Sequence, residues 1–336
     1  MRAIATVPIS ICYLLSAAVL ADDDIGPTYA ELLGWEPGAK VVIFHADDAG
    51  MSHDANVGII EALEDGLLTS MSTMMPCPWV SEFATYCAQN PDIDNGLHLT
   101  LTSEWENYRW GPVAGKFLVP GLVDDEGCLW RTVAQVVENA TPQEVEAEIR
   151  AQIDRAKTMG LPITHLDTHM GTLFATMEFF AAYVKVGMEM QIPIMIPGGH
   201  ATLAQEEYAD MAELFPAIRA VAKQVWDSGL PMLDDLFSDT YGWTTFEEKK
   251  TNMIDLLRRV EPGVTQIIIH PTRPTEVFKH ISDSGETRLA DLLVMLDEDV
   301  KKTVEEEGII LTTWRELSER RANAAASEAA PGHGKG

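Results

Sequence analysis

The sequence predicts an α/β fold: a (β/α) barrel of the TIM type, distorted in shape, with parallel strands and crossover helices. Short β-rich runs alternate with segments that carry apolar residues at helical spacing, and this alternation implies parallel strands joined by helices. Roughly eight such units follow one another, which is the number that closes a barrel. No glycine-rich nucleotide-binding motif opens a helix, and this disfavours the alternative, an open doubly wound sheet.

The predicted strands are short apolar runs bounded by turn residues. They cover residues 40–47, 69–75, 96–101, 164–167, 192–196, 232–237, 265–270 and 309–312. The predicted helices cover residues 54–65, 141–159, 178–190, 211–226, 246–260, 289–307 and 314–321. Thr141, Pro142 and Glu144 make the clearest helix start, because they supply a cap, a proline at the first position and a capping glutamate. The stretch 105–127 is rich in glycine, proline and aromatic residues and is predicted to be a long loop.

Both ends of the chain are predicted to lie outside the folded domain. Arg2, an apolar run over residues 7–20 and an acidic run after it are typical of a secretory signal peptide, which we assign to residues 1–21. The apolar run is short for a membrane span, although an uncleaved anchor is the alternative. We therefore expect export to the periplasm or the extracellular space. The remaining chain divides into an N-terminal extension (22–39), a single domain (40–321) and a flexible tail (322–336).

Composition and charge exclude some partners. Hydrophobic residues make up 46% of the 336 residues, enough for a sizeable core. The net charge of -28 repels phosphate backbones and anionic lipid heads, so we do not expect nucleic acid as a partner. A stable membrane span is not expected either, because the N-terminal apolar run is short. A homodimer is left open.

Three cysteines remain after cleavage of the predicted signal peptide, and they have no CxxC spacing that would indicate a zinc site. Which of them could form a disulfide cannot be decided from the sequence. They are Cys77, Cys87 and Cys128.

An acidic pair ends the first predicted strand. Asp47 and Asp48 directly follow the apolar run, and catalytic groups of a barrel lie at the carboxyl ends of its strands. Neighbouring residues on a strand point to opposite sides. Where the chain turns at the strand end, however, one carboxylate can bind a metal ion while the other faces a substrate. The alternative is an acidic cap on the helix that follows.

Histidines recur at the strand ends. His98, His165, His169 and His270 lie in or at the ends of predicted strands, and His45 precedes the acidic pair. One carboxylate and two imidazoles form a common ligand set for a catalytic divalent ion. His98 taken alone could equally be a histidine of the core. In the run from His165 to His169, alternate residues share one face of a strand, so Asp167 could orient a ligand imidazole.

Five motifs in order resemble those of the YdjC-like deacetylases, the chitooligosaccharide deacetylases of the ChbG and HpnK type. They are residues 47–52 (DDAGMS), 56–59 (NVGI), 66–70 (GLLTS), 96–102 (GLHLTLT) and 164–169 (THLDTH). The resemblance covers roughly residues 40–314. It implies a deformed (β/α) barrel, in agreement with the strand count.

The resemblance also implies a reaction and a role for each residue. Asp48, His98 and His169 would bind one divalent metal ion, Mg²⁺ or Zn²⁺. Asp47 would be the general base, and His270 the general acid or the oxyanion partner. The reaction would be hydrolytic removal of N-acetyl groups from amino sugars or oligosaccharides by a metal-activated water. Two alternatives stay open: a metal hydrolase of another acyl, ester or phosphoester bond, and a catalytically inactive sugar-binding protein.

The sequence departs from the family pattern in the wall of the predicted pocket. Met170 and Gly171 follow the last motif where further histidines are common, and His45, Ala46 and Ala49 flank the acidic pair where small polar and aromatic residues are usual. These changes leave the predicted ligands intact. Together with the predicted export, they suggest a glycan met outside the cytoplasm.

Other residues are weaker candidates for contact with a substrate. The aromatic residues of the long loop could stack on a sugar ring or simply pack the loop, and His200 ends the fifth predicted strand. A group of acidic residues after the sixth strand could bind sugar hydroxyls. The aromatic candidates are Trp105, Tyr108 and Trp110, and the acidic ones are Asp234, Asp235 and Asp239.

Overall fold

One curled, all-parallel sheet forms the centre of the protein, and this confirms the predicted parallel α/β arrangement. The structure, a computed structural model, describes residues 26–329. Within that range the strands run in the order β4-β3-β2-β1-β6-β5, and β7 pairs with β1. The strands are Lys40–Ala49 (β1), Ser70–Thr73 (β2), Asn95–Leu99 (β3), Leu166–Thr168 (β4), Asp235–Phe237 (β5), Gly263–Ile269 (β6) and Ile310–Leu311 (β7).

The sheet curls without forming continuous ladders all the way round. Between β4 and β5 the chain passes through residues 192–197, where the strand predicted over 192–196 does not form a ladder. Single parallel bridges join Leu166 to Ile194 and Pro197 to Leu233. Pro193 and Pro197 have no amide hydrogen to donate to a ladder, so pairing stays limited at this point. The sheet therefore does not close into a complete TIM barrel by continuous hydrogen bonding.

Helices cover the outer face of the sheet. They are Tyr29–Leu32 (α1), His53–Asp65 (α2), Val80–Gln89 (α3), Val133–Asn139 (α4), Pro142–Met159 (α5), Met177–Met190 (α6), Thr202–Glu207 (α7), Phe215–Asp227 (α8), Phe246–Arg259 (α9), Gly285–Leu296 (α10), Glu298–Glu306 (α11) and Trp314–Ala329 (α12). The start predicted for α5 is confirmed: Thr141 accepts a hydrogen bond from the Glu144 amide, and the helix ends at a left-handed Gly160. None of these helices combines the length and the apolar character that a bilayer crossing requires.

Two predicted helices divide or end differently in the structure, and one predicted segment lies outside the described residues. The helix predicted over 289–307 is divided into α10 and α11, because Asp297 leaves the helical backbone and caps α11 by accepting from the Asp299 and Val300 amides. Helix α12 continues past the predicted domain end at Arg321 as far as Ala329. The predicted signal peptide lies outside the described residues. Over residues 26–329 all three cysteines are free thiols.

A fully buried tryptophan at the start of α12 supports the inside of the sheet. Trp314 Nε1 donates a hydrogen bond of 2.9 Å to Gln266 Oε1 on β6. Its indole ring stacks on the imidazole of His165, with ring centroids 5.0 Å apart and an angle of 16° between the planes. The carboxylate of Asp94 accepts from the Trp314 amide at 3.1 Å. These contacts join α12 to β6 and to the residues directly before β3 and β4.

The N-terminal extension belongs to the fold through one buried carboxylate. Asp234, just before β5, accepts hydrogen bonds from the backbone amides of Tyr29 at 2.8 Å, Ala30 at 3.1 Å and Val264 at 2.8 Å. Asp234 therefore joins α1 to β6, and its role here is structural. Trp35 adds a cation–π contact, since the Arg320 guanidinium lies 3.9 Å from its ring centroid.

We expect Asp234→Ala to lower the free energy of unfolding by about 3 kcal/mol or more, because three buried amides lose their acceptor. Asp234→Asn keeps one oxygen and should lose less. Asp239→Ala is the control, since Asp239 is exposed and its removal should stay within about 0.5 kcal/mol of the parent. Urea denaturation measures all three variants. Equal stability of Asp234→Ala and Asp239→Ala would contradict this role.

Candidate metal centre

A bulge near the end of β1 turns both carboxylates of the acidic pair in one direction. The register of β1 against β2 shifts between Ala46 and Ala49, and Asp48 has a left-handed backbone with φ 70. Such a φ is uncommon for a residue with a Cβ atom, and residues that adopt it cluster at functional sites. As a result, Asp47 Oδ2 lies 3.6 Å and Asp48 Oδ1 lies 3.5 Å from the same atom, His98 Nε2.

The three predicted metal ligands meet at this point. The outer triad, which we define as Asp48, His98 and His169, is buried. His98 Nε2 lies 3.1 Å from His169 Nδ1, and Asp48 Oδ1 lies 3.6 Å from that same Nδ1. Ligands bound about 2.1 Å from one ion are roughly 3.0–3.4 Å apart. Asp48 Oδ1 accepts no hydrogen bond from the rest of the described chain, so the donor set fits a divalent cation.

Each histidine of the outer triad has its second nitrogen beside a carboxylate. His98 Nδ1 lies 2.6 Å from Asp167 Oδ1, and His169 Nε2 lies 3.2 Å from Glu104 Oε2. Such partners fix the tautomer and direct the other nitrogen at an ion. The role suggested for Asp167 is thus matched by the geometry. Glu104 was missed; the available signal was an acidic residue two positions after a strand-end motif.

A buried arginine faces the acidic pair. Arg288 Nη2 lies 2.7 Å from Asp48 Oδ2, and its Nε donates to Tyr241 Oη at 3.2 Å and to Ser284 Oγ at 2.8 Å. Burial alone would raise the pKa of Asp48, but Arg288 and the facing histidines hold it well below its usual range. The carboxylate is therefore ionised and ready to bind a cation at neutral pH. The sequence did not decide the role of Arg288.

His270 follows β6 and faces the other carboxylate. Its Nε2 lies 3.8 Å from Asp47 Oδ2, and its backbone amide donates to Asp291 Oδ2 at 3.1 Å. Asp291 is held in turn by the buried Lys249, whose Nζ lies 2.6 Å from Asp291 Oδ1. Burial lowers the pKa of His270, which favours a neutral imidazole. The structure therefore brings His270 to the same side of the site as Asp47.

The long loop and the residue directly before it, Glu104, reach the site. Glu104 contacts His169, and Tyr108 Oη donates to the Met51 carbonyl at 2.5 Å. Trp105 is half-buried beside Trp110, with ring centroids 5.5 Å apart. Trp110 itself is buried, and its Nε1 donates to the Thr102 carbonyl at 2.9 Å. Trp110 therefore packs the loop, whereas Trp105 and Tyr108 are partly accessible.

His200 and Asp235 lie away from the outer triad. His200 Nδ1 lies 3.5 Å from Asp235 Oδ2 and 3.9 Å from Glu261 Oε2. Asp235 pairs with Thr265 early in β6, so this group is at the opposite end of the sheet. Asp235 accepts from two amides at the start of α7 and has a structural role. Asp239 is exposed. Substrate contact by His200 is thus not supported by its position.

Met170 forms part of the surface beside the triad. It follows His169 with a left-handed φ of 53, and Gly171 after it has φ 63. The Met170 side chain is half-exposed, and its Sδ lies 3.4 Å from Thr102 Oγ1. The sequence departure at this position therefore places an apolar group next to a candidate metal ligand.

Comparison with known proteins identifies the family. The model of the YdjC-like proteins matches residues 41–306. The chain belongs to the YdjC-like family. A carbohydrate deacetylase of Thermus thermophilus is 28% identical over 84% of this chain and 95% of its own length. One of Thermoanaerobacter pseudethanolicus is 24% identical over 82% of this chain and 98% of its own.

A solved structure supports the fold of this family member. It is described as a cellobiose-phosphate cleavage protein from Enterococcus faecalis V583, and its TM-score against this chain is 0.69 at 25% identity. The match covers 83% of this chain and 99% of that one. The family motifs thus lie on a fold that another protein of similar sequence adopts.

Removal of the Glu104 carboxylate should weaken cation binding at the outer triad. We expect Glu104→Ala to lower the affinity for Zn²⁺ about 10- to 100-fold, because His169 loses the partner that orients its ring. Glu106→Ala, an exposed neighbour along the chain, should bind as the parent does. Competition with a chromophoric chelator measures the affinity. If the two variants bind equally well, Glu104 does not orient the ligand.

Proposed function

We propose that this protein is a metal-dependent hydrolase that removes N-acetyl groups from amino sugars, with a divalent ion held by the outer triad. One observation carries the proposal: a second carboxylate, Asp47, lies 3.6 Å from the His98 Nε2 atom that faces the ion position. A site that only binds a cation has no need of this extra carboxylate, whereas hydrolysis needs a base beside the activated water. The carbohydrate deacetylases among its relatives support the same substrate class.

The residues divide the work of amide hydrolysis between them. A divalent ion supplies Lewis-acid polarisation and a water of lowered pKa. Asp47 Oδ2 takes a proton from the attacking water, and the new C–O bond forms as this proton leaves. His270 Nε2 lies 3.8 Å from that oxygen, so the two groups can share the returning proton. The C–N bond then breaks, and the amine leaves with the proton delivered from His270, yielding acetate and a free amino sugar.

The donor set and the N-terminal sequence narrow the proposal further. Two imidazoles and one carboxylate favour Zn²⁺ or another transition metal over Mg²⁺.

We also propose that the enzyme acts after export, on the basis of the apolar run and acidic residues at the start of the chain. A glycan outside the cytoplasm would then be its substrate.

Purified protein should release acetate from N-acetylglucosamine oligomers in a metal-dependent manner. We expect a chelator to abolish acetate release, because the reaction requires an ion at the outer triad to activate water. Added Zn²⁺, Mg²⁺ or Mn²⁺ should restore acetate release to different extents. Enzymatic detection of acetate provides the measurement. A preparation that holds an ion at the outer triad but releases no acetate would exclude this reaction.

Two substitutions separate the base from the metal ligands. Asp47→Asn should lower kcat by about 100-fold or more while metal content stays unchanged, whereas His98→Ala should lose both activity and the ion of the outer triad. His53→Gln is the control, because the His53 side chain is half-exposed and its imidazole pairs with Glu82 and not with a candidate ligand or base. Undiminished turnover by Asp47→Asn would remove the base assignment. Activity assays and elemental analysis of the same samples distinguish the cases.

A further inference from the structure

A second group of metal-binding side chains lies inside the sheet next to the outer triad. The inner cluster, which we define as His45, His165 and Asp167, is fully or almost fully buried. One ligand atom from each residue lies within 4.8 Å of the other two. His45 Nε2 is 2.9 Å and His165 Nε2 is 3.6 Å from Asp167 Oδ2. These separations bracket those between ligands that share one ion with bonds of about 2.1 Å.

The other nitrogen of each imidazole already has a partner. His45 Nδ1 lies 3.1 Å from Ser70 Oγ, and His165 Nδ1 lies 3.0 Å from Thr164 Oγ1. Protein ligands to metals usually have this arrangement, in which a neighbour holds the nitrogen that points away from the ion. Both Nε2 atoms are thereby directed towards Asp167. His45 Nε2 also has Ser72 Oγ at 3.1 Å.

Several polar atoms of this region lack the hydrogen bonds that burial normally demands. Over residues 26–329, His165 Nε2 and Asp47 Oδ1 have no hydrogen-bond partner, and Asp167 Oδ2 has none beyond its ion-pair contact with His45 Nε2 at 2.9 Å. Buried polar atoms without partners are uncommon and costly, and an ion is one of the explanations for them. Asp47 Oδ1 lies 3.3 Å from His45 Nε2, so a fourth oxygen is available to the same ion.

We propose that the inner cluster binds a second divalent transition-metal ion, with Zn²⁺ favoured by its two imidazoles and its carboxylates. The outer triad and the inner cluster share no ligand residue. Asp167 nevertheless connects them, since its Oδ1 contacts His98 Nδ1 while its Oδ2 faces the inner cluster. Asp47 connects them as well, with Oδ2 towards His98 and Oδ1 towards His45. The inner ion would thus hold both carboxylates that serve the outer triad.

The competing description is a metal-free network with a proton in place of the ion. Burial lowers the pKa of His45, but Asp167 and Asp47 outweigh this effect and raise it to about 9. An imidazolium could therefore neutralise part of the negative charge. It would leave the Nε2 atom of His165 without a partner, whereas an ion would satisfy it. Metal content distinguishes the two descriptions.

Elemental analysis of the purified full chain after saturation with Zn²⁺ and dialysis tests the proposal. We expect two equivalents in the parent, one in His165→Gln and one in His169→Gln, because each variant loses a ligand of a different site. His53→Gln, which alters a surface histidine, should keep two. A zinc content in His165→Gln equal to that of the saturated parent would overturn the inner site.

Anomalous diffraction at the zinc edge gives an answer that depends on no variant. Two peaks in the parent, one of them within bonding distance of His45 Nε2, His165 Nε2 and Asp167 Oδ2, would support the proposal. A single peak at the outer triad would refute the inner site and leave the proposed function intact. A peak at the inner cluster alone would support the inner site while removing the ion from the proposed reaction.

Discussion

The left-handed backbone at Asp48 directs two neighbouring carboxylates at one histidine, and the geometry of the site depends on it. Regular strand alternation would place Asp47 and Asp48 on opposite sides. The bulge between Ala46 and Ala49 breaks the alternation at the cost of an unfavourable φ. Local contacts hold this backbone: the Gly50 amide donates to Asn56 Oδ1 at 2.7 Å, and the Met51 amide donates to the Asp48 carbonyl at 3.1 Å. The ion pair between Arg288 and Asp48 then fixes the side chain.

Charge balance explains why so many titratable groups can be buried together. Asp47, Asp48 and Asp167 place three carboxylates in a largely buried region, and an uncompensated buried charge is strongly destabilising. Arg288 balances one of them, and the surrounding histidines face the others. Cations bound at this end of the sheet would complete the balance. Buried carboxylates destabilise the fold when no positive charge faces them. For the same reason, they suit this region to binding metal ions.

The long loop couples the surface of the protein to the candidate metal centre. Glu104 contacts His169 directly before the loop, and further along Tyr108 contacts the Met51 carbonyl next to the acidic pair. Trp105, between them, stays partly accessible. Met170 contacts Thr102 just before this segment, with Sδ 3.4 Å from Oγ1, so a sugar bound over the centre would meet both. A change in the packing of this part of the chain would therefore also change the surroundings of the candidate metal centre.

The sequence by itself determined the parallel α/β class and the capped start of α5, because strand periodicity and capping depend on residues that are close together in the chain. The family motifs likewise identified the five residues that meet at the site, which are Asp47, Asp48, His98, His169 and His270. The sequence could not place Glu104 beside His169 or Arg288 beside Asp48, nor show that Asp234 holds the N-terminal extension. It also did not reveal that the segment 192–197 forms only single bridges, or that His200 lies at the opposite end of the sheet. Those features were decided by the tertiary structure, because they arise where distant parts of the chain meet around the curled sheet.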